Sequence, residues 1–133
     1  MIEISSDKSR LQIDVIHGFL TTTYWATGRT LEEVKKTIEH CFCFGVYLNG
    51  EQIGFARIAT DYTVFAYLMD VFILPEHRGK GYSKQLIKAV IEAPELETCK
   101  VWMLKTADAH GLYKQFGYTE LSHSEKVMER ILK

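Results

Sequence analysis

The part of the sequence that most directly suggests chemistry is a glycine-rich loop with two basic residues. The loop consists of Arg78, Gly79, Lys80, Gly81, Tyr82 and Ser83. A long apolar run precedes it, and a segment with apolar residues at helical spacing follows it. A helix start has unpaired N–H groups and a partial positive charge, and glycines let a phosphate approach the backbone closely. Since Arg78 and Lys80 add formal charge, residues 78–83 are predicted either to bind an anion or to form a solvent-exposed basic turn.

Spacing excludes two common phosphate-binding motifs. A Walker loop has four residues between its first glycine and its Gly-Lys pair, and no such spacing occurs here. A dinucleotide fingerprint requires a third glycine at the position of Lys84. A nucleotide-phosphate binder is therefore the weakest of the functions considered.

The elements that must position this loop are predicted from the pattern of apolar residues. Residues 64–74 are the longest β-like run and are apolar on both faces, which indicates a central strand. Residues 30–33 are typical of a capping box at a helix start, and Asn49-Gly50 predicts a tight hairpin. Strands are predicted over 2–5, 42–48, 52–59, 64–74 and 101–104, helices over 11–20, from 30, over 81–93 and over 109–116, and 126–132 as a strand or a helix. This order predicts an α+β (mixed α/β) fold with helices on both faces of a sheet.

Length and composition limit the remaining function classes. With 133 residues, the chain is predicted to be a single domain over residues 1–133. Sixteen basic and seventeen acidic residues give a net charge of -1, which argues against a nucleic-acid or anionic-membrane binder. Three cysteines, an odd number, and the lack of a signal-peptide pattern predict a reduced, cytoplasmic protein. The five histidines have no metal-ligand spacing with cysteine or glutamate, so no metal site is expected.

Two segments of the sequence resemble the GNAT family of N-acetyltransferases. The family has an (Arg/Gln)-x-x-Gly-x-(Gly/Ala) signature directly after its central strand, and residues 78–83 match it with Ser83 at the last small position. Further along the chain, residues 112–118 resemble the second family segment, a helix with a tyrosine followed by a Gly-aromatic pair. Thr106 replaces an asparagine that the family often has before that tyrosine.

The resemblance implies direct transfer of an acetyl group from acetyl-CoA, the cosubstrate, to an amine. It also implies a mostly antiparallel sheet of six to seven strands that splays at the acyl-CoA site. The backbone of Val71 and Ile73 would pair with the pantetheine arm, and the amides of residues 79–83 would hold the pyrophosphate. Tyr113 matches the tyrosine that donates a proton to the departing CoA thiolate.

Five further residues are candidates for the acceptor side of the site. Asp70 lies inside the apolar run of residues 64–74, where a carboxylate is unfavourable unless it is paired or borders a cavity. It is predicted to be the substrate-amine anchor or general base, or else a carboxylate satisfied by N–H groups or an arginine. His110 is a second candidate base. The segment between the first two helices, where the family usually places its acceptor wall, contains Tyr24, Trp25 and Arg29, which form either that wall or a surface loop.

The sequence therefore predicts an N-acetyltransferase whose acceptor is a small-molecule amine or a protein amino group. The alternative is a non-catalytic acyl-CoA-binding sensor or regulatory module. No nucleic-acid or membrane partner is expected. A homodimer is a further expectation, because small members of the family often pair.

Overall fold

A mixed sheet forms the centre of the structure, a computed structural model that describes residues 1–132. The strands, in spatial order, are β1 (Ile2–Ser5), β2 (Phe42–Leu48), β3 (Glu51–Thr60), β4 (Phe65–Ile73) and β5 (Val101–Leu104). All neighbouring strands are antiparallel except β4 and β5, which are parallel. The predicted α+β fold is confirmed, although the sheet has five strands within residues 1–132 rather than six to seven.

Helices cover both faces of the sheet, as predicted. They are α1 (Ile13–Leu20), α2 (Leu31–His40), α3 (Tyr82–Ile91) and α4 (His110–Lys114). On one face, α1 and α2 bury apolar residues against Phe55 and Phe72. On the other face, buried residues of α3 and α4 pack with Ala66 and Leu68 of β4. Since both faces of β4 are covered, its continuous apolar sequence is explained.

Two local sequence signals fix the connections as predicted. The Thr30 hydroxyl accepts from the Glu33 N–H at 3.1 Å, and the Glu33 carboxylate accepts from the Thr30 N–H at 2.8 Å, which completes the capping box of α2. In the hairpin between β2 and β3, Asn49 and Gly50 have φ values of 52° and 81°. These values are the ones that a tight hairpin turn requires of its central residues.

The C-terminal segment accounts for the smaller number of strands. Residues 126–132, expected to be a strand or a helix, form neither, and contribute only the end of a 3-10 turn at Ser124–Lys126. The apolar side chains of this segment are exposed; they are Val127, Met128, Ile131 and Leu132. A short strand or helix is stable only when packing buries its apolar face, and within residues 1–132 these side chains have no such partner.

Candidate active site

The sheet opens halfway along β4. Pairing between β4 and β5 runs only from Phe65 and Val101 to Leu68 and Leu104. Because β4 continues to Ile73, residues 69–73 have no partner strand on that side within the part of the chain described. This opening is the splay that the resemblance implies at the acyl-CoA site.

The backbone of Ile73 is directed into this opening. The Leu74 N–H donates to the Ile53 carbonyl of β3 at 2.7 Å, so the neighbouring residue Ile73 directs its own groups to the other side. In agreement, the Ile73 carbonyl accepts from Arg78 Nε at 2.9 Å. Val71 lies in the same unpaired stretch of β4. The two residues predicted to pair with pantetheine therefore lie where β4 has a free edge.

The glycine loop has the conformation of an open anion cradle. Gly79 and Gly81 both have φ of 79°, in the left-handed region that side chains disfavour. A Cβ added to either residue would meet no atom within 4 Å, so the space beside both is open. Gly81 is the N-cap of α3 and provides no side-chain cap, and the first intrahelical bond is from the Gln85 N–H to the Gly81 carbonyl. The free N–H groups of the first turn of α3 therefore suit a pyrophosphate.

The two basic residues of the loop differ in how they are held. Arg78 donates to Ile73, and its guanidinium lies 5.8 Å from the centroid of the Phe19 ring of α1. Lys80 is exposed. Arg78 thus fixes the loop against the end of β4, while the exposed Lys80 side chain forms no ion pair within residues 1–132.

A β-bulge interrupts β4 at Asp70. The register against β3 shifts between Phe55 and Arg57, so that Asp70 and Val71 together oppose Ala56. Asp70 has φ of 53°, which aspartate tolerates better than most residues. A bulge changes the direction of a side chain, and here the Asp70 side chain reaches the segment between α1 and α2.

Three donors surround the Asp70 carboxylate. Arg57 Nε and Arg29 Nη1 donate to Oδ2 at 2.8 Å and 2.7 Å, and Trp25 Nε1 donates to Oδ1 at 3.0 Å. The Asp70 side chain is only 1% exposed, against 7% for Arg57 and 19% for Arg29. Of the alternatives predicted for Asp70, the geometry matches a carboxylate satisfied by arginines. Both oxygens already accept hydrogen bonds, which leaves the carboxylate poorly placed to take a proton from a substrate.

Two groups near Asp70, the Arg57 guanidinium and the Cys43 thiol, have shifted pKa values. Burial lowers the pKa of Arg57, but Asp70 and a 3.3 Å contact with Cys41 Sγ more than offset it, so the pKa is raised. Burial raises the pKa of the Cys43 thiol to about 12. Arg57 is therefore charged and Cys43 is a neutral thiol at physiological pH.

Sequence reasoning missed Arg57. Trp25, Arg29 and Asp70 are all predicted site residues and the structure brings them together, but the sequence predicts Arg57 only as part of a strand. The available signal was an arginine inside the apolar run of β3, next in the chain to a strand that also contains one acid. Tyr24 does not reach Asp70; it is exposed and makes an edge-to-face contact with Trp25, with ring centroids 5.2 Å apart.

Tyr113 and His110 lie on α4, one helical turn apart. Both line a cavity of about 560 Å³ beside β5, together with Leu104 and Thr106. The Tyr113 side chain is buried, and burial raises its pKa to about 12. The phenol therefore remains protonated at physiological pH, as a proton donor must. Thr106 accepts from the Ala109 N–H at 3.0 Å and so helps to begin α4.

Comparisons with known proteins agree with this geometry. A profile of the acetyltransferase (GNAT) family matches residues 12–118. The chain belongs to the GNAT family. The match includes the open edge of β4, the glycine loop and Tyr113, so the protein is an acetyltransferase of that family.

Individual relatives support the same assignment. A crystal structure of a protein from Xanthomonas campestris pv. campestris, described as an acetyltransferase of the GNAT family, has 45% identity and a TM-score of 0.96, and covers 99% of this chain and 94% of that one. A Gibberella zeae protein named as an acetyltransferase is 31% identical over 86% of this chain and 77% of its own length. Thialysine N-ε-acetyltransferase of Mus musculus is 35% identical over 44% of this chain, and this chain spans 37% of its length.

Two other kinds of functional feature are absent from residues 1–132 of the acetyltransferase. In residues 1–132, no helix is long and apolar enough to cross a membrane. Over the same residues, no three His, Cys, Asp or Glu side chains are grouped as metal ligands.

The ion pairs of the Asp70 cluster (Asp70, Trp25, Arg29 and Arg57) are expected to affect stability. Asp70→Asn keeps the shape of the side chain and its tolerance of positive φ, but it leaves the buried Arg57 and the partly buried Arg29 without a counter-charge. We expect the free energy of unfolding to fall by about 3–5 kcal/mol, measured by urea denaturation. The control is Glu3→Gln, which removes an exposed ion pair with Arg10 and should cost less than about 1 kcal/mol. Equal losses for the two variants would show that the cluster is not electrostatically coupled.

Proposed function

We propose that this acetyltransferase binds acetyl-CoA along the free edge of β4 and transfers the acetyl group directly to an amine. The observation that carries the proposal is the continuity of two features. The unpaired stretch of β4 leads through Pro75–His77 to the glycine loop and the uncapped start of α3. An extended amide-containing arm and a pyrophosphate need these two features in this order.

Donor recognition in this proposal is mainly by backbone groups. Val71 and Ile73 would pair with the pantetheine arm, and the amides from Gly79 to Ser83 would hold the pyrophosphate. Lys80, exposed beside the loop, adds positive charge. Since the loop conformation depends on glycines at positive φ, the donor site is set by chain geometry more than by side-chain chemistry.

Tyr113 is the proposed general acid. Acetyl transfer releases a CoA thiolate, and a positioned phenol can supply the proton as negative charge develops on the sulfur. The raised pKa of Tyr113 keeps that proton available. The amine must also lose a proton, and His110, which lines the same cavity as Tyr113, is the proposed base together with water. Asp70, with its three donors, then acts as an anchor for the acceptor side rather than as the base.

The acceptor side of the proposal is the segment between α1 and α2. Trp25 and Arg29 are tied to β4 through Asp70, and Tyr24 extends the exposed aromatic surface. The acceptor is a small-molecule amine or a protein amino group. The name of the mouse relative refers to thialysine, which supports an amine acceptor in general but not that particular one, because the match covers less than half of either chain.

A homodimer in the cytoplasm remains part of the proposal. The outer edge of β5 and the exposed apolar side chains of Val127, Met128, Ile131 and Leu132 are the surfaces that support self-association. Catalysis without a metal, and without nucleic-acid or membrane partners, stays a prediction from the sequence.

The first test is isothermal titration with acetyl-CoA, with ATP and NAD as controls. We expect binding of acetyl-CoA alone, because the site combines a pyrophosphate cradle with a free strand edge. A Gly81→Ala variant should weaken that binding, since φ of 79° is unfavourable for alanine. Failure of the wild-type protein to bind acetyl-CoA would reject the donor site.

The second test separates the enzyme from a non-catalytic sensor. We expect Tyr113→Phe to lower kcat by about 10²–10⁴ while acetyl-CoA affinity is unchanged, because only proton donation is lost. The matched control is Tyr118→Phe: the two rings lie 5.6 Å apart, both are largely buried, and burial also raises the pKa of Tyr118. The Tyr118 hydroxyl has no hydrogen-bond partner within residues 1–132, so its removal should leave kcat intact. Equal rates for Tyr113→Phe and the wild type would exclude Tyr113 as the acid.

A further inference from the structure

The Asp70 cluster has an excess of positive charge. Two guanidinium groups, Arg29 and Arg57, converge on one carboxylate, and each pairs with that carboxylate alone within residues 1–132. Glu33 interacts with Arg29 across the start of α2, but its exposed carboxylate caps Thr30 and is screened by solvent. One positive charge in a largely buried setting is therefore without a close counter-charge, which is unfavourable unless an anion binds.

Arg29 is the member of the cluster that a ligand can reach. Its side chain is 19% exposed, whereas that of Arg57 is 7% exposed. A guanidinium has five N–H donors, and within residues 1–132 the Arg29 side chain donates one hydrogen bond, from Nη1 to Asp70. Most of its donors are thus available, and their forked geometry suits the oxygens of a carboxylate or a phosphate.

The surroundings of Arg29 also favour a ligand. Trp25 and Tyr24 are 44% and 75% exposed, although both are large aromatic side chains. Trp25 is fixed by its hydrogen bond to Asp70, so its exposed face is held in place beside the guanidinium. A rigid aromatic surface next to unused arginine donors is typical of small-molecule recognition.

We infer that Arg29 binds an anionic group, a carboxylate or a phosphate monoester, on the amine that accepts the acetyl group. This inference rests on the acetyl transfer proposed above and specifies the acceptor as a small molecule with both an amine and an anion. Asp70 connects the proposed sites for the amine and the anion of this molecule: its backbone is in the unpaired stretch of β4, and its side chain holds Arg29. An acceptor whose far end is cationic would be repelled by the excess charge of the cluster.

The two tryptophans of the protein provide a direct test with an internal control. The Trp25 indole N–H donates to Asp70, whereas the Trp102 indole N–H donates to the Cys99 carbonyl at 2.9 Å. Inorganic phosphate and acetate are titrated separately at constant ionic strength, and both indole signals are followed in nitrogen–proton NMR spectra. We expect at least one anion to shift the Trp25 signal saturably, without an equal shift of Trp102. No saturable Trp25 shift with either anion, or equal shifts of both signals, would overturn the inference.

Variants test whether Arg29 is the residue that binds the anion. Arg29→Gln should raise the apparent Kd of the effective anion about tenfold or more, because charge-assisted hydrogen bonds are lost. Arg29→Lys keeps the charge but loses the forked pair of N–H donors. Its Kd for the anion should therefore lie between those of Arg29→Gln and the wild type. Arg10→Gln is the control, since it removes the same charge from the exposed pair with Glu3 and should leave the Kd unchanged. An unchanged Kd in Arg29→Gln would also count against the assignment.

Matched amines then test whether the anion belongs to the acceptor. Aminohexanoate, aminohexyl phosphate and aminohexanol differ in the group opposite the amine, and are compared by the Trp25 shift in the presence of CoA and by acetyl transfer. We expect one anionic amine to bind more tightly and to have a lower KM than aminohexanol, and Arg29→Gln to remove that preference. The identity of the preferred amine distinguishes a carboxylate from a phosphate. Equal binding of the three amines would refute the acceptor assignment.

Failure of the anion site and failure of acetyl transfer give different results. If acetyl-CoA binds but the Trp25 signal does not respond to anions, only the acceptor inference is lost. If anions shift the Trp25 signal but acetyl-CoA does not bind, the proposed transfer is lost. If Arg29→Gln weakens the binding of acetyl-CoA as much as the binding of the anion, Arg29 contacts the donor and the inference is wrong.

Discussion

The geometry of the candidate site depends on the hydrogen bonds and ion pairs of the buried Asp70 carboxylate. A carboxylate with 1% exposure is retained only if donors replace the water it has lost, and Arg57, Arg29 and Trp25 do so. Arg57 comes from the adjacent strand β3, while Trp25 and Arg29 come from the segment between α1 and α2. One side chain therefore ties the segment between α1 and α2 to β4 in the stretch where β4 no longer pairs with β5.

The same residue also fixes the shape of β4. With Asp70 at positive φ, an extra residue enters the strand and the alternation of faces shifts by one. Before the bulge, Ala66 and Leu68 pack with the α3 side; after it, Phe72 packs with the α1 and α2 side. Without the bulge, even-numbered residues would all share one face, and the Asp70 carboxylate would lie in the apolar core against α3. The bulge thus makes a charged residue compatible with a strand that is covered on both faces.

Features that depend on local sequence were predictable, and features that depend on contacts between distant residues were not. The Thr30 cap, the Asn49-Gly50 hairpin and the loop of residues 78–83 follow from neighbouring residues, and all three form as expected. The carboxylate in the apolar run indicated something unusual at Asp70, but its pairing with Arg57 requires a register that includes the bulge. Positive φ at an aspartate has no sequence signature of the kind that glycine provides. The strand or helix expected over residues 126–132 does not form, and its apolar side chains stay exposed. The apolar pattern of the segment does not indicate which other element would bury it.

In the proposed function, the donor and the acceptor bind to different kinds of structure. The proposed donor side consists of a free strand edge, glycines at positive φ and helix N–H groups, which would recognise a constant carrier through the backbone. The proposed acceptor side consists of side chains on a connecting segment, attached to the sheet through the Asp70 carboxylate. Substitutions in that segment can change the acceptor without disturbing the backbone of the donor site, which is how one fold can serve many substrates.

Stability alone does not explain why the cluster is present. Buried ion pairs contribute little net stability, because the desolvation of each charge offsets most of the attraction, and apolar replacements of similar volume are often as stable or more so. An apolar contact could hold the segment between α1 and α2 against β4 equally well. What an apolar contact cannot provide is a fixed guanidinium with unused donors beside an exposed aromatic surface. The second arginine adds to this argument, since Arg57 alone would neutralise Asp70, and with Arg57 in place Arg29 supplies charge that the protein itself does not need.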